Sequence, residues 1–193
     1  DNMLLYHMMA IENGNSDSMV EIGSYYREIK RDYRGMMKYY LMGMEKDNSN
    51  AFNHLGIYYY KIHDFNNMIK YYTIAIEKGN VNAMINIAYY YEIIGNINGM
   101  IKYFTLAIEK GSSVAISELV EYYEKIRDNN NMIKYILMGC KKNNTLCMCM
   151  LDEYIKSSYK LYEYFKYEKY LTKKNRKKCF KLYDEYMENK IYF

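Results

Sequence analysis

Apolar side chains recur along this chain at helical spacings, and the whole pattern returns about every 32 residues. MIKYYTIAIEKGN begins at Met68, MIKYFTLAIEKGS at Met100 and MIKYILMGCKKNN at Met132, while MMKYYLMGMEKDN begins at Met36. Those steps are 32 residues each; the step back to MLLYHMMAIENGN at Met3 is 33. A second series alternates with the first: SMVEIGSYY from Ser18, AFNHLGIYY from Ala51, AMINIAYYY from Ala83, AISELVEYY from Ala115 and CMCMLDEYI from Cys147. In the second unit Phe52, Leu55, Gly56 and Tyr59 share one face of a first helix, and Met68, Tyr71, Tyr72, Ala75 and Ile76 share one face of a second. Two amphipathic helices per unit, at a period of this size, predict a solenoid in which each unit buries its apolar face on its neighbours. Small residues mark the close approaches: Gly23, Gly56 and Ala88 on the first helices, and Gly43, Ala75, Ala107 and Gly139 on the second.

The punctuation repeats with the pattern. Asp32, Asp64, Asn96 and Asp128 stand before each second helix, where an Asx side chain accepts from unpaired first-turn N–H groups. Gly14, Gly79 and Gly111 close the second helices in a left-handed conformation, with Asp47 and Asn143 in the equivalent places. Asn50, Asn82 and Ser113 are read as caps of the following first helices. The expected organisation is an array over 1–174: a lone helix at 2–13, four full pairs to about 142 and a degenerate pair over 146–173. Residues 175–193 form an expected C-terminal capping helix with a basic lead-in. Asp1 stands partway through a unit, the pattern expected of a piece of a longer array.

Composition sharpens this only in places. The chain has 27 Tyr, 16 Met and no Pro or Trp, a bias toward residues with AT-rich codons, and the missing proline leaves every helix unbroken. The net charge of +4 is unevenly spread: residues 1–155 carry 16 basic and 18 acidic side chains, residues 156–193 carry 11 and 5. The array is close to neutral and the basic character lies in the tail. No apolar run approaches the ~18–20 residues of a membrane span, and the amino terminus lacks a signal-peptide pattern, so no membrane contact and an intracellular location (cytoplasmic, or nuclear through the basic tail) are expected. Four Cys among helices outline no disulfide framework.

At its repeated positions the chain resembles the tetratricopeptide superfamily, and its Sel-1-like branch in particular. Ala51, Leu55, Gly56 and Tyr59 match A-x-x-x-L-G-x-x-Y; Asp64, Phe65, Met68, Tyr72 and Ala75 match the second-helix motif; Ala75, Ile76, Gly79, Asn80 and Ala83 match the Sel-1-like closing motif. The turn inside each pair is shorter than the Sel-1-like one and is similar to that of an ordinary tetratricopeptide repeat. The resemblance covers about residues 2–160, and repeats with this compositional bias look like proteins of large DNA viruses. It implies an all-α, right-handed α-α superhelix of antiparallel pairs, its first helices lining a concave surface. It also implies a role in holding peptides or partner domains, without catalysis.

Candidate chemistry is sparse. His7 aligns with Tyr40, Tyr72 and Phe104 and is read as a packed aromatic substitute; His54 aligns with Asn86 and Glu118, a position expected at the surface. Cys140 and Cys147 replace small or apolar repeat residues and are read as core; Cys147 and Cys149 face different ways on a helix and suit no shared metal. No GxxxxGK[ST] loop occurs, and no catalytic set, metal site or cofactor is expected. Helix phase places Asn53, Ile57 and Tyr60, then Ile85, Tyr89 and Glu92, then Ser117, Glu121 and Glu124 on the concave face. That lining grades from aromatic and amide to acidic, which favours a protein or peptide partner with apolar and basic side chains. A second reading rests on Lys173, Lys174, Arg176, Lys177 and Lys178, a cluster able to attract nucleic-acid phosphates or to serve nuclear targeting.

Overall fold

The computed structural model describes residues 2–157. Among the described residues each repeat motif forms a helix where the pattern places one. In chain order the helices are α1 (Asn2–Glu12), α2 (Ser16–Tyr25), α3 (Tyr33–Glu45), α4 (Ser49–Lys61), α5 (Phe65–Glu77), α6 (Val81–Ile93), α7 (Ile97–Glu109), α8 (Ser113–Lys125), α9 (Asn129–Lys141) and α10 (Thr145–Ser157). No strand occurs among the described residues. Consecutive helices pack as pairs, α2 on α3, α4 on α5 and α8 on α9, and this arrangement is an α-α solenoid. The second half of the expected degenerate pair, the expected capping helix at 175–193 and the basic cluster at 173–178 lie outside the described residues.

Two compact units divide after Tyr103. In the first, Val20, Met36, Tyr40, Ala51 and Leu55 form one core cluster, and Phe52, Met68, Tyr72, Ala75, Ala83 and Ile87 form the next. The small residues act as predicted: a Cβ on Gly23 would meet the Tyr40 ring, and one on Gly56 would meet the Tyr72 ring. In the second unit, Ile116, Leu119, Ile136, Cys140, Cys147 and Leu151 are buried, and a Cβ on Gly139 would meet Cys147. The buried thiols therefore serve packing, and burial pushes the Cys147 thiol up to about 12.

Tyrosines of the two helices of a pair form a repeated stack. Tyr59 lies on Tyr71 with centroids 5.2 Å apart, Tyr91 on Tyr103 at 5.5 Å, and in the second unit Tyr123 on Tyr135 at 5.5 Å. Each stack joins the end of a first helix to the middle of the second, and a lysine caps it: Lys70 over Tyr71, Lys102 over Tyr103, Lys134 over Tyr135. Such contacts add a fraction of a kcal/mol to about 1 kcal/mol beyond area burial.

The caps of the second helices stand as read, since Asp32, Asp64, Asn96 and Asp128 each accept from first-turn backbone N–H groups. The caps of the first helices need correction. Asn48, Asn80 and Ser112 hold that place, accepting from Asn50, Ala83 and Ala115 N–H groups, while Asn50, Asn82 and Ser113 lie inside their helices. Two of these caps, Asn48 and Asn80, have a further job. Asn48 Nδ2 donates to Ser16 Oγ and Asp17 Oδ1, and Asn80 Nδ2 donates to Ser49 Oγ and Asn50 Oδ1, tying successive first helices together at their N-termini.

One local departure was not read from the pattern. Residues Tyr26–Lys30 continue α2 as a π-helical turn, closed by Arg31 in the left-handed region (φ 52°). Ser16 and Ser49, which open α2 and α4, are 33 residues apart, whereas Asp32 and Asp64 are 32 apart. One extra residue therefore falls between Ser16 and Asp32, and the wide turn absorbs it.

Candidate ligand-binding groove

In the first unit, the first helices α4 and α6 leave a depression of about 270 Å³ between them. Ile57 and Tyr60 come from α4, Asn86, Tyr89, Tyr90 and Ile93 from α6, and the Tyr72 side chain reaches it from α5. The lining is mostly aromatic and aliphatic, with the amide of Asn86 and the phenol of Tyr72 as polar points. Burial and the nearby Tyr60 raise the Tyr72 phenol above its ordinary value, so it remains a neutral donor.

Of the residues expected on this face, Ile57, Tyr60 and Tyr89 come together in the depression. Tyr60 is 37% exposed. Asn53 is corrected: it is 4% exposed, and its Oδ1 accepts from Asn86 Nδ2 at 3.0 Å, so it joins α4 to α6 instead of offering its amide to a ligand. Ile85 is half-buried and Glu92 exposed; neither lines the depression. Asn86, Tyr90 and Ile93 were missed, although their spacing of four and three is the same helical stripe turned by one residue. The Asn53–Asn86 bond sets that turn, and no single-helix periodicity could reveal it. In the second unit, Glu121 and Glu124 are exposed, and Ser117 Oγ donates to the Ser113 carbonyl within α8.

The histidines divide. His7 is half-buried with Nδ1 3.2 Å from Ser18 Oγ. His54 is half-buried instead of exposed: its ring stacks on Tyr40 with centroids 5.6 Å apart, and its Nδ1 is buried without a hydrogen-bond partner. Burial and the neighbouring Arg27 guanidinium push its pKa down to about 4, so it is neutral at physiological pH. Among the described residues no group of three or more His, Cys, Asp or Glu is placed to hold a metal ion. No helix among them is long and apolar enough to cross a membrane.

No family model matches the chain, and no curated protein matches it in sequence. Its structure is similar to several solved ones. A Sel1 repeat protein from Oxalobacter formigenes shares 17% identity at a TM-score of 0.64, over 94% of this chain and 78% of that one. A protective antigen of uropathogenic Escherichia coli displaying an SLR fold shares 18% identity at 0.58, over 80% of this chain. An immunity protein from Pseudomonas aeruginosa shares 18% identity at 0.53, over 77% of this chain. The chain spans 36% of the length of the antigen and 60% of that of the immunity protein. All three are bacterial, so they lend nothing to the viral association drawn from composition. At these identities the likeness speaks to architecture, and the architecture is that of the Sel1-like helical repeat.

Proposed function

We propose that this chain is a non-catalytic interaction module that holds a peptide or partner segment along its first helices, with the depression between α4 and α6 as the anchor. The observation that carries this reading is the aromatic lining of that depression, Tyr60, Tyr89 and Tyr90 beside Ile57 and Ile93. Tyrosines in a partly enclosed apolar recess supply large contact area at low entropic cost, the composition found at binding hot spots. Exposed Glu92 flanks the recess along α6; in the second unit the equivalent of Glu92 is Glu124 and that of Tyr89 is Glu121, both exposed. The ligand favoured by this chemistry has an apolar or aromatic anchor and a net positive charge.

The test is selection of a randomised linear peptide library on the full chain, followed by affinity measurement on single peptides. Enriched peptides are expected to carry an aromatic or aliphatic anchor with Lys or Arg, and Tyr60→Ala is expected to weaken them roughly tenfold or more, the loss of one hot spot. Equal binding by Tyr60→Ala and the native chain would remove the recess from the reading. A preference for net-acidic peptides would remove its charge assignment.

A further inference from the structure

Three buried side-chain nitrogens among the described residues have no hydrogen-bond partner: Nε and Nη1 of Arg27 and Nδ1 of His54. They belong to one neighbourhood, since the Arg27 charge acts directly on His54 and on the Tyr40 phenol. The Arg27 side chain is 10% exposed, yet its one polar contact is Nη2 with Glu28 Oε1 at 2.6 Å. Glu28 is its chain neighbour, 59% exposed, and a solvent-facing pair of this kind is worth about 0–1 kcal/mol. Each unsatisfied buried donor costs about 1–3 kcal/mol, more for a charged group, so the arrangement is unfavourable as it stands.

The same residues carry the one-residue insertion. Arg27 lies in the π-helical turn Tyr26–Lys30, and such turns cluster at functional sites. Counted from the helix starts, Arg27 on α2 occupies the position that Tyr60 holds on α4 and Glu92 on α6, one helix before the depression. Successive first helices of this unit thus present a cation, an aromatic and an anion in the same register. The other charges facing this cluster are Lys61, which acts on Glu28, and Glu21, which acts on Tyr40.

We propose that Arg27 is the recognition point for a carboxylate carried by the bound peptide, and that Glu28 holds the guanidinium in the absence of ligand. The proposal rests on the interaction-module reading and specifies its ligand: one acidic side chain on the Arg27 side of the apolar anchor, basic residues toward Glu92. A guanidinium binds a carboxylate best through two parallel N–H bonds. Glu28 uses Nη2 alone and leaves Nε and Nη1 buried without a partner; a ligand carboxylate takes the place of Glu28, and the guanidinium turns out of its buried seat to give it a second N–H bond from Nε or Nη1.

The experiment extends the same peptide selection on the full chain. Each enriched peptide is compared with a twin in which Glu or Asp is replaced by Gln or Asn. The native chain is expected to prefer the acid roughly tenfold, about 1.4 kcal/mol. Arg27→Gln is expected to abolish that preference, and Arg27→Lys to restore little of it, because an ammonium lacks the planar fork. Glu28→Gln, an exposed change that leaves the fold intact, is expected to tighten acid-bearing peptides by removing the internal competitor. Circular dichroism checks that Arg27→Gln is folded; where it is not, the Glu28→Gln arm decides. Equal binding of acid and amide twins to the native chain, or no gain with Glu28→Gln, overturns the proposal. If Tyr60→Ala still weakens both twins in that event, the groove stands and only the Arg27 assignment falls.

Discussion

His54 shows how far a single side chain can depart from what its repeat position announces. Its equivalents, Asn86 and Glu118, read as a variable surface position, but the imidazole is stacked on Tyr40 beside a buried cation. Periodicity compares positions along one helix, and the ring that covers this one, Tyr40, stands on another. The consequence is measurable. The folded chain holds the His54 pKa at about 4, against 6.5 when unfolded. Between those values the unfolded chain binds a proton that the folded chain refuses, so stability is full above pH 6.5 and declines as pH falls toward 4, by about 3 kcal/mol at most. Urea midpoints measured across that range are expected to fall with acid, and His54→Asn, which copies Asn86, is expected to flatten the decline. An unchanged acid limb in His54→Asn would place the proton uptake elsewhere. Gly56 is the opposite case, legible from sequence alone. Gly56→Ala drives a methyl into the Tyr72 ring and is expected to cost about 1–3 kcal/mol in thermal or urea unfolding.

At the scale of the element, the boundaries were legible because capping and turn chemistry repeat with the hydrophobic pattern, and the misplaced caps show the limit of that legibility. Asn50 and Asn48 are both Asx residues two apart, and only the cross-repeat bonds of Asn48 and Asn80 distinguish a cap from its neighbour's acceptor. Asn80→Ala is therefore expected to destabilise by more than an ordinary cap, roughly 1–2 kcal/mol, because it removes the cap and the tie to α4 together. Asn80→Asp, which keeps the cap but loses the donor, separates the two contributions in the same denaturation assay. The turn inside each pair offers a gain instead. Gly95 takes that left-handed position at φ 73° in the third pair, while His63 and Arg127 hold it at φ 61° and 58°. His63→Gly and Arg127→Gly are expected to raise stability by up to about 1 kcal/mol, the strain of a side chain in that region less the extra freedom of glycine when unfolded. A loss of stability in both would show that those side chains contribute more than their backbone costs.

At the scale of the molecule, the repeat period was enough to state the solenoid, and the one irregular step marked the place where function is proposed. The 33-residue step from Met3 to Met36 passes easily for noise in a degenerate array; it is the sequence trace of the π turn at Arg27. The recess between α4 and α6 was legible in part, because Ile57, Tyr60 and Tyr89 follow from phase, whereas Asn86, Tyr90 and Ile93 depend on the rotation fixed by the Asn53–Asn86 bond. The charge asymmetry adds a test of which part binds. Deletion of residues 172–178 removes a cationic cluster distant in sequence from the recess and is expected to leave peptide capture unchanged, measured at two salt concentrations. Loss of capture on that deletion would move the binding function into the tail.

The amide bridges at the helix starts carry a further implication, for how such a chain changes length over generations. Donor and acceptor sit in the same short window of successive copies, 30 to 32 residues apart. An unequal crossover between two copies of the gene segment, broken anywhere in step, delivers one intact donor and one intact acceptor to the new junction. Gain or loss of a whole repeat among the units joined this way, at α2, α4 and α6, thus leaves no unmatched joint at the helix starts, while an exchange out of step does. At these junctions the joint tolerates a change in the number of units better than a change in unit length, and the single extra residue before Asp32 falls beyond the joint.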